Sequence, residues 1–490
     1  MRFSLDFGLV GIFVAMGLLV ACGGTSEPSG ASSGGASASG NTAAPPDSMG
    51  DSAAAESDAA ADAAGRGDEA ILSLPTITTE AFDVGARPDF AALSEPVEVT
   101  LWHAIAQDHE AALNDVIMQF EAMPEWGGKI DVKSVHQGAY GDLRTALIAA
   151  MGTPSRPVMS QLYESWTSQF AERDLLVPVQ VFVDADSDYG EADLSDFYPG
   201  FLDNNRWGET LVTLPFNKSV YLLFANTTLL DEAGLGIPTT WAELGQASKA
   251  LTNLANNRYG LGGRPLMETF TPLFLMNQGE FIDGEGHLQL DSEPSRETVE
   301  FLLQITHDDK AMYIEQGYLS SGFGNQSLAL FTGSSAGIPY IHTAVGGEFE
   351  WTVAQIPVRD ADDPPRALSQ GTNVGIFNGH PPEVQWAAWE FLKYLTGAES
   401  SAHYASVTGY MPIRRSSLEV EELKSKLEQD PIMQVAVSQL EFATFEPRMP
   451  QWESIRSVLN RQVGLFLQNP TDAARAVARM QREALRSLEE

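Results

Sequence analysis

Cysteine is all but absent: Cys22 is the only one in 490 residues. That excludes an internal disulfide framework and a cysteine-ligated zinc cluster. Basic residues are scarce, with 29 Lys and Arg against 66 Asp and Glu, a net charge of -37. No basic patch is available to neutralise phosphates, so nucleic acid is not a partner. A surface this acidic resembles that of proteins from saline habitats. Of the eight histidines, His103 and His109 stand six apart and His136 stands alone, which is no metal-ligand spacing. Nucleotide and metalloprotease signatures are missing. Ser160, Ser219 and Ser335 lack a nucleophile elbow or a nearby histidine pattern. Glu164 with Glu268 or Asp231 would make a nominal glycosidase pair, but carboxylates are too plentiful for that pairing to carry weight. These absences imply no cofactor, no metal and no catalysis.

Long apolar runs are also missing, except one near the start. Arg2 precedes Phe7–Val20, FGLVGIFVAMGLLV, followed by Ala21 and Cys22. A positive start, a short apolar core and a small residue before the cut make a secretory signal. The run is short for a membrane span. Leu19-Val20-Ala21-Cys22 resembles the bacterial lipobox, whose cysteine is acylated and becomes the new N-terminus. Acyl chains on Cys22 would hold the protein at a membrane surface, in the periplasm or on the outer cell face. Residues 23–70 are mostly Gly, Ser, Ala, Pro, Asp and Glu, with Met49 the only large apolar side chain. Such a stretch cannot bury enough to offset its ordering entropy, and the whole of 23–94 reads as a disordered acidic tether.

The folded body opens at Val97–Ala104, VEVTLWHA, which alternates like a strand. A helical pattern over His109–Met123 and a second alternating stretch, Ile130–Val135, follow. Strand, helix, strand predicts an α/β domain with a mostly parallel sheet. Val158–Leu162 reads as a strand ending in the polar–aromatic tip Tyr163-Glu164-Ser165-Trp166, where α/β proteins place ligand residues. Val177–Val183 reads as an edge strand. Thr210–Pro215 and Val220–Ala225 read as two strands broken by Phe216-Asn217-Lys218-Ser219. Thr240 and Glu243 form a capping box. Leu328–Phe331 reads as a helix end and Gly337–Tyr340 as a strand. Pro382–Leu395 predicts an amphipathic helix whose Trp386 and Trp389 are core, and Thr471–Leu488 a last helix capped by Asp472.

Five segments in this order carry a resemblance: Leu101-Trp102-His103-Ala104, Gln161-Leu162-Tyr163-Glu164, Pro215-Phe216-Asn217-Lys218-Ser219, Thr240-Trp241-Ala242-Glu243-Leu244, and Thr408-Gly409-Tyr410-Met411-Pro412-Ile413. Together they resemble family 1 of the extracellular solute-binding proteins of ABC importers, from about Val97 to Leu488. The likeness is greatest to the glycerol-3-phosphate binders and more distant to the maltose binders. It implies an α/β, two-lobed periplasmic-binding-protein fold of type II, acting as a monomer. Turn-like breaks near Pro215–Ser219, Gln370–Gly371 and Thr408–Met411 would be the hinge crossings. Lobe one would then be 95–216 with 372–408, and lobe two 217–371 with 409–490. One continuous sheet through both would count against this division.

The resemblance also implies a site. Tyr140, Glu164, Ser219, Ser335, Gly371 and Tyr410 match the family's ligand positions, with Arg448 an approximate match to its phosphate-gripping arginine. Trp166, Arg264 and Trp452 are further candidates. Chemically, Glu164 accepts from hydroxyls, the small residues let a ligand approach the backbone, and the aromatics suit the C–H faces of sugars. An arginine can fork onto a phosphate. The family's tryptophan-rich stretch is replaced here by Gly263-Arg264-Pro265-Leu266-Met267, which separates the chain from a direct copy of those binders. The expected solute is a polyhydroxylated molecule, either glycerol-3-phosphate or a neutral sugar, delivered to permease subunits. The alternatives are a secreted polysaccharide-acting enzyme and a structural surface lipoprotein.

Overall fold

The 13 residues of Leu214–Asn226 form a single strand, buried at every position, around which the rest of the body is arranged. In this computed structural model the described residues are 71–105, 108–315 and 317–489, with the side chain of residue 108 also left aside. The chain divides between Arg66 and Gly67, and Met1–Arg66, with the signal segment and Cys22, lies outside the described residues.

The strands, in chain order, are β1 (Val97–His103), β2 (Ile130–His136), β3 (Met159–Leu162), β4 (Leu176–Val177), β5 (Arg206–Trp207), β6 (Thr210–Leu211), β7 (Leu214–Asn226), β8 (Tyr259–Gly263), β9 (Met312–Ile314), β10 (Leu328–Ser334), β11 (Trp351–Ala354), β12 (Ala367–Phe377) and β13 (Ala443–Thr444). The main path runs β2-β1-β3-β12-β7-β10-β8-β9. β1 pairs in parallel with β2 and β3, as its strand–helix–strand pattern requires. β12 and β7 are antiparallel to their neighbours on this path.

Two expectations change here. The two strands predicted on either side of Phe216–Ser219 are one strand, because the polar residues between them are buried and paired. Its first half, Leu214–Val220, pairs with β12, and its second half, Tyr221–Asn226, pairs with β10 and β11. The hydrogen-bonded network is therefore one sheet continuous through β7, the outcome that counts against the expected residue division into lobes. No other strand belongs to both of its halves among the described residues.

Further local readings are corrected by their neighbours. Val179–Ala185 is a helix, not an edge strand. Pro178 precedes it with a φ of -56°, a value that proline's ring favours, and Val179 and Phe182 are buried on one helical face. Leu328–Ser334 is strand β10, and Ile338–Val345 is a helix with Pro339 in its first turn. Both are short apolar runs, for which periodicity alone does not separate helix from buried strand. The predicted capping box is present, with Thr240 accepting from the Glu243 N–H. Asp472 caps the last helix in the same way. Trp386 and Trp389 are fully buried against Phe182, Trp389 stacked on it and Trp386 edge-on.

Only the last part of the expected 23–94 tether is described, since 23–70 lies outside the described residues. Residues 71–94 are not disordered but form a strap on the body. Leu72 is buried and its N–H donates to the Gly286 carbonyl at 2.8 Å. Five residues on, buried Ile77 accepts from the Thr210 hydroxyl at 2.8 Å. Val84 then accepts from the Trp386 indole at 2.9 Å, and Arg87 pairs with Glu390 at 2.7 Å. The strap thus links the hairpin around Gly286, on the side of β7's second half, to the first-half core. Its apolar residues are spaced too irregularly to read as an element from sequence.

Candidate functional site

β7, β12 and the segment after the helix Ala398–Thr408 meet at one residue. Lys218 is paired with Gly371 on one side and with Met411 on the other, the Met411 N–H reaching its carbonyl at 2.7 Å. Gly371 sits at φ +116°, beside a register shift in β12, and a Cβ there would lie 2.0 Å from the Asn217 carbonyl oxygen. Only glycine fits that approach. Past Met411 the chain returns to the β1 side: Arg414 bonds the Asp193 carbonyl and the Tyr189 hydroxyl. The expected second-lobe span beginning at 409 therefore does not describe the contacts of Arg414 and its neighbours.

Lys218 is wholly buried, and its ammonium donates to Glu164 Oε1 at 2.9 Å and to the Gly371 carbonyl at 3.3 Å. Burial pulls its pKa down, and the Glu164 carboxylate opposes that pull. Glu164 opens the helix Glu164–Ala171 directly after β3, and the same Oε1 accepts from Asn204 at 2.6 Å and Asn373 at 3.2 Å. Behind it, Gln161 donates to Asn217 and Thr372, and Asn217 donates to the Tyr140 hydroxyl at 3.3 Å.

A small cavity, open at its mouth, lies against this junction. Tyr163, Glu164 and Ser165 line it from the end of β3, and Ser369, Gln370 and Gly371 from β12. The opposite wall is Phe445, Glu446, Pro447, Trp452, Glu453 and Arg456. Glu446 accepts from Gln370 at 2.7 Å and pairs with Arg456 at 3.2 Å through the same oxygen. Burial raises the pKa of Glu446, against the pull of Arg456, and the Glu446 charge raises that of Arg456. Beside the cavity, Tyr140, Tyr163 and Trp166 pack ring to ring at 5.0 and 5.1 Å. His109 lies 5.3 Å from Tyr410 and 6.0 Å from Tyr340.

The candidates fall into groups. Glu164, Gly371 and Trp452 line the cavity. Tyr140 and Tyr410 do not line it: they share a hydrogen bond, Tyr140 packs on Tyr163, and burial raises both phenols. Ser219 is a buried junction residue paired with Gln370. Ser335 does not line the cavity: it is fully buried and its hydroxyl accepts from the Val220 N–H at 3.3 Å. Trp166 is core. Arg264 is held by Glu268 and stacks on Tyr318. Arg448 is turned to the Asp203 carbonyl at 2.6 Å and the Trp207 ring, so the guanidinium that lines the cavity is that of Arg456. Lys218, Glu446, Glu453 and Arg456 were not singled out from sequence. Lys218 could have been, as the one charged residue in β7. Glu446 and Arg456 are ten residues apart across a turn, and nothing local marks them as a pair.

A binding cleft beside three adjacent strand crossings, within this α/β architecture, defines a periplasmic-binding-protein fold of type II. Solved structures share it. UgpB from Mycobacterium tuberculosis, in complex with glycerophosphocholine, is 19% identical, with a TM-score of 0.70 covering 81% of this chain and 99% of that one. The sugar-binding protein MalE from Xanthomonas citri is 22% identical, with a TM-score of 0.69 covering 80% and 97%. Among curated proteins, the sn-glycerol-3-phosphate-binding periplasmic protein UgpB of Yersinia pestis bv. Antiqua (strain Antiqua) is 26% identical over 378 residues, 73% of this chain and 83% of the relative. Residues 115–434 match the bacterial extracellular solute-binding proteins. The chain belongs to that family, and it is a binding protein rather than an enzyme.

Proposed function

We propose that this chain is the lipid-anchored, solute-binding subunit of an ABC importer, which closes two lobes on a small polyhydroxylated solute and delivers it to permease subunits. The junction at Lys218 carries the reading. Three crossing segments are hydrogen-bonded side by side there, and the lysine that joins them also holds Glu164 against the cavity. The two halves of β7 would belong to different lobes, so small torsions near Lys218 and Gly371 would open or shut the cleft. Glu164, Gly371 and Trp452 would meet the solute, with Tyr140 and Tyr410 at its edge and Ser219 at the hinge. Arg456 takes the place first given to Arg448. The UgpB relatives are named for sn-glycerol-3-phosphate and the MalE structure for sugars, and a polyol common to both is the shared chemistry.

Calorimetric titration of the mature protein with maltose, trehalose, glycerol-3-phosphate and glycerophosphodiesters tests it. Binding of at least one, lost in Glu164→Gln, is expected. Binding only to a peptide or a metal would overturn the assignment, and release of reducing ends from oligosaccharides would make the chain an enzyme. The anchor is tested separately: mass spectrometry of the mature N-terminus should find acylated Cys22, and a chain retaining residues 1–21 would refute it.

A further inference from the structure

The strap joins the two walls of the cavity through very little chain. Leu72 lies in one core with Phe281 and Trp452, and its N–H reaches the Gly286 carbonyl at 2.8 Å. Phe281 packs on Trp452 at 4.9 Å, and Trp452 lines the cavity. Leu74 packs against a different core, which holds Ile77, Trp166 and Trp207, and Tyr163 packs against that same core from the facing wall. Only Ser73 lies between the two docks, so the chain from Leu72 to Leu74 spans at most about 7 Å. Pro75 adds no slack, because the residue before a proline is held extended. From Ile77 onward the strap stays on the first-half side: Thr210 donates to Ile77, Trp386 donates to Val84, and Arg87 pairs with Glu390. Across the cavity its one buried side chain among the described residues is Leu72, 3% exposed.

We infer that the strap is a latch that holds the cleft shut, with the Leu72–Gly286 dock as its catch. This rests on the two-lobed, solute-binding reading above and adds a link between the lobes beyond the crossings at Lys218. A hinge rotation that parts Tyr163 from Trp452 carries Leu74 away from Leu72, and the single residue between them cannot stretch to follow. Opening therefore withdraws Leu72 from its core and breaks its bond to Gly286. The exposed leucine disfavours the open arrangement, because its apolar surface returns to water. Apparent affinity rises with the fraction of molecules in the binding-competent form, so the strap tightens capture without touching the solute. Gly286 suits the catch: its φ is +91°, and a Cβ there would lie 2.6 Å from the Leu72 carbonyl.

The test lengthens the strap and leaves both docks in place. A Gly-Ser-Gly-Ser-Gly-Ser insert between Ser73 and Leu74 gives the latch roughly 20 Å of extra reach. The same insert between Glu80 and Ala81, whose flanks dock on one side, is the control. Spin labels go on the exposed positions 172 and 232, one on each side of β7, through Glu172→Cys and Glu232→Cys in the full chain with Cys22→Ser, in detergent. Electron–electron resonance between the labels then reads the lobe separation without any solute. The insert at 73 should lengthen and broaden that distance, and the control insert should leave it unchanged. Calorimetric titration gives the second readout. Whichever of maltose, trehalose and glycerol-3-phosphate binds the unmodified chain should bind the insert variant about tenfold more weakly, as a closed fraction lowered to about one tenth requires. Leu72→Ala should shift both readouts in the same direction, and the insert variant decides the point if that substitution does not fold. An unmoved distance, or an unmoved affinity for a probe that the unmodified chain binds, would overturn the latch and leave solute binding standing. A lengthened distance with none of the three probes bound by the unmodified chain would uphold the latch and count against the solute reading.

Discussion

Lys218 shows how a single side chain ties the hinge to the site. It is fully buried, and its charge is answered by Glu164 and by one carbonyl. Removing the cation leaves a half-buried carboxylate behind, and breaking such a pair costs about 3 kcal/mol or more. We expect Lys218→Met to lose about that much in urea unfolding, and the double variant Lys218→Met with Glu164→Gln to recover part of it. Equal losses in the single and double variants would contradict the pairing. His103 is a second case. Burial, with His136 stacked at 5.7 Å, lowers its pKa to about 4, and its ring meets the Ser134 hydroxyl at 2.7 Å. The unfolded chain takes up this proton near pH 6.5, and the folded chain only near pH 4. Stability from this group is therefore present above pH 6.5 and lost as pH falls towards 4. The drop in urea midpoint between pH 7 and pH 5 should be smaller in His103→Asn than in the wild type (pH values chosen about the ordinary histidine pKa of ~6.5).

At the scale of elements, the strap is the least expected part. Leu72 fills a pocket on the Gly286 side, and Ile77 holds Thr210 on the other. Leu72→Ala should cost about 2 kcal/mol, the low end for a buried leucine. It should also speed hydrogen exchange in 281–288. Exchange there unchanged from the wild type would mean that the strap merely rests on the surface. A β-branched residue at 286 should act in the same direction, because a Cβ there would lie 2.6 Å from the Leu72 carbonyl.

The molecule as a whole carries a net charge of -37. Like charges repel across a compact body, and salt shortens their reach from about 14 Å at ~0.05 M to about 3 Å at ~1 M. The melting temperature should therefore rise with NaCl over that range. A flat or falling curve would show that local pairs such as Arg87–Glu390 already offset the field. Acidity at this scale acts on solubility and on the approach of charged solutes, not on any one local pair.

The order of elements was legible from residues alone because it depends on local patterns. β1, the helix after it and β2 follow the alternation and helical spacing of Val97–Val135, and the caps at Thr240 and Asp472 need only four consecutive residues. That Glu164 and Gly371 would stand at the cavity was legible, the first through the polar tip after β3 and the second only through the family resemblance. The continuity of β7 was not, because a polar stretch reads as a break until neighbours from residues 369–371 and 411 satisfy it. Nor was Val179–Ala185, where alternating valines mimic a strand and Pro178 with the packing of Phe182 decides for a helix. The pairing of Glu446 with Arg456 and Gln370, the turning of Arg448 to Asp203, and the docking of Leu72 at Gly286 join residues distant along the chain or across a turn. Periodicity reports which face of an element is buried; only the tertiary structure decides what that face meets.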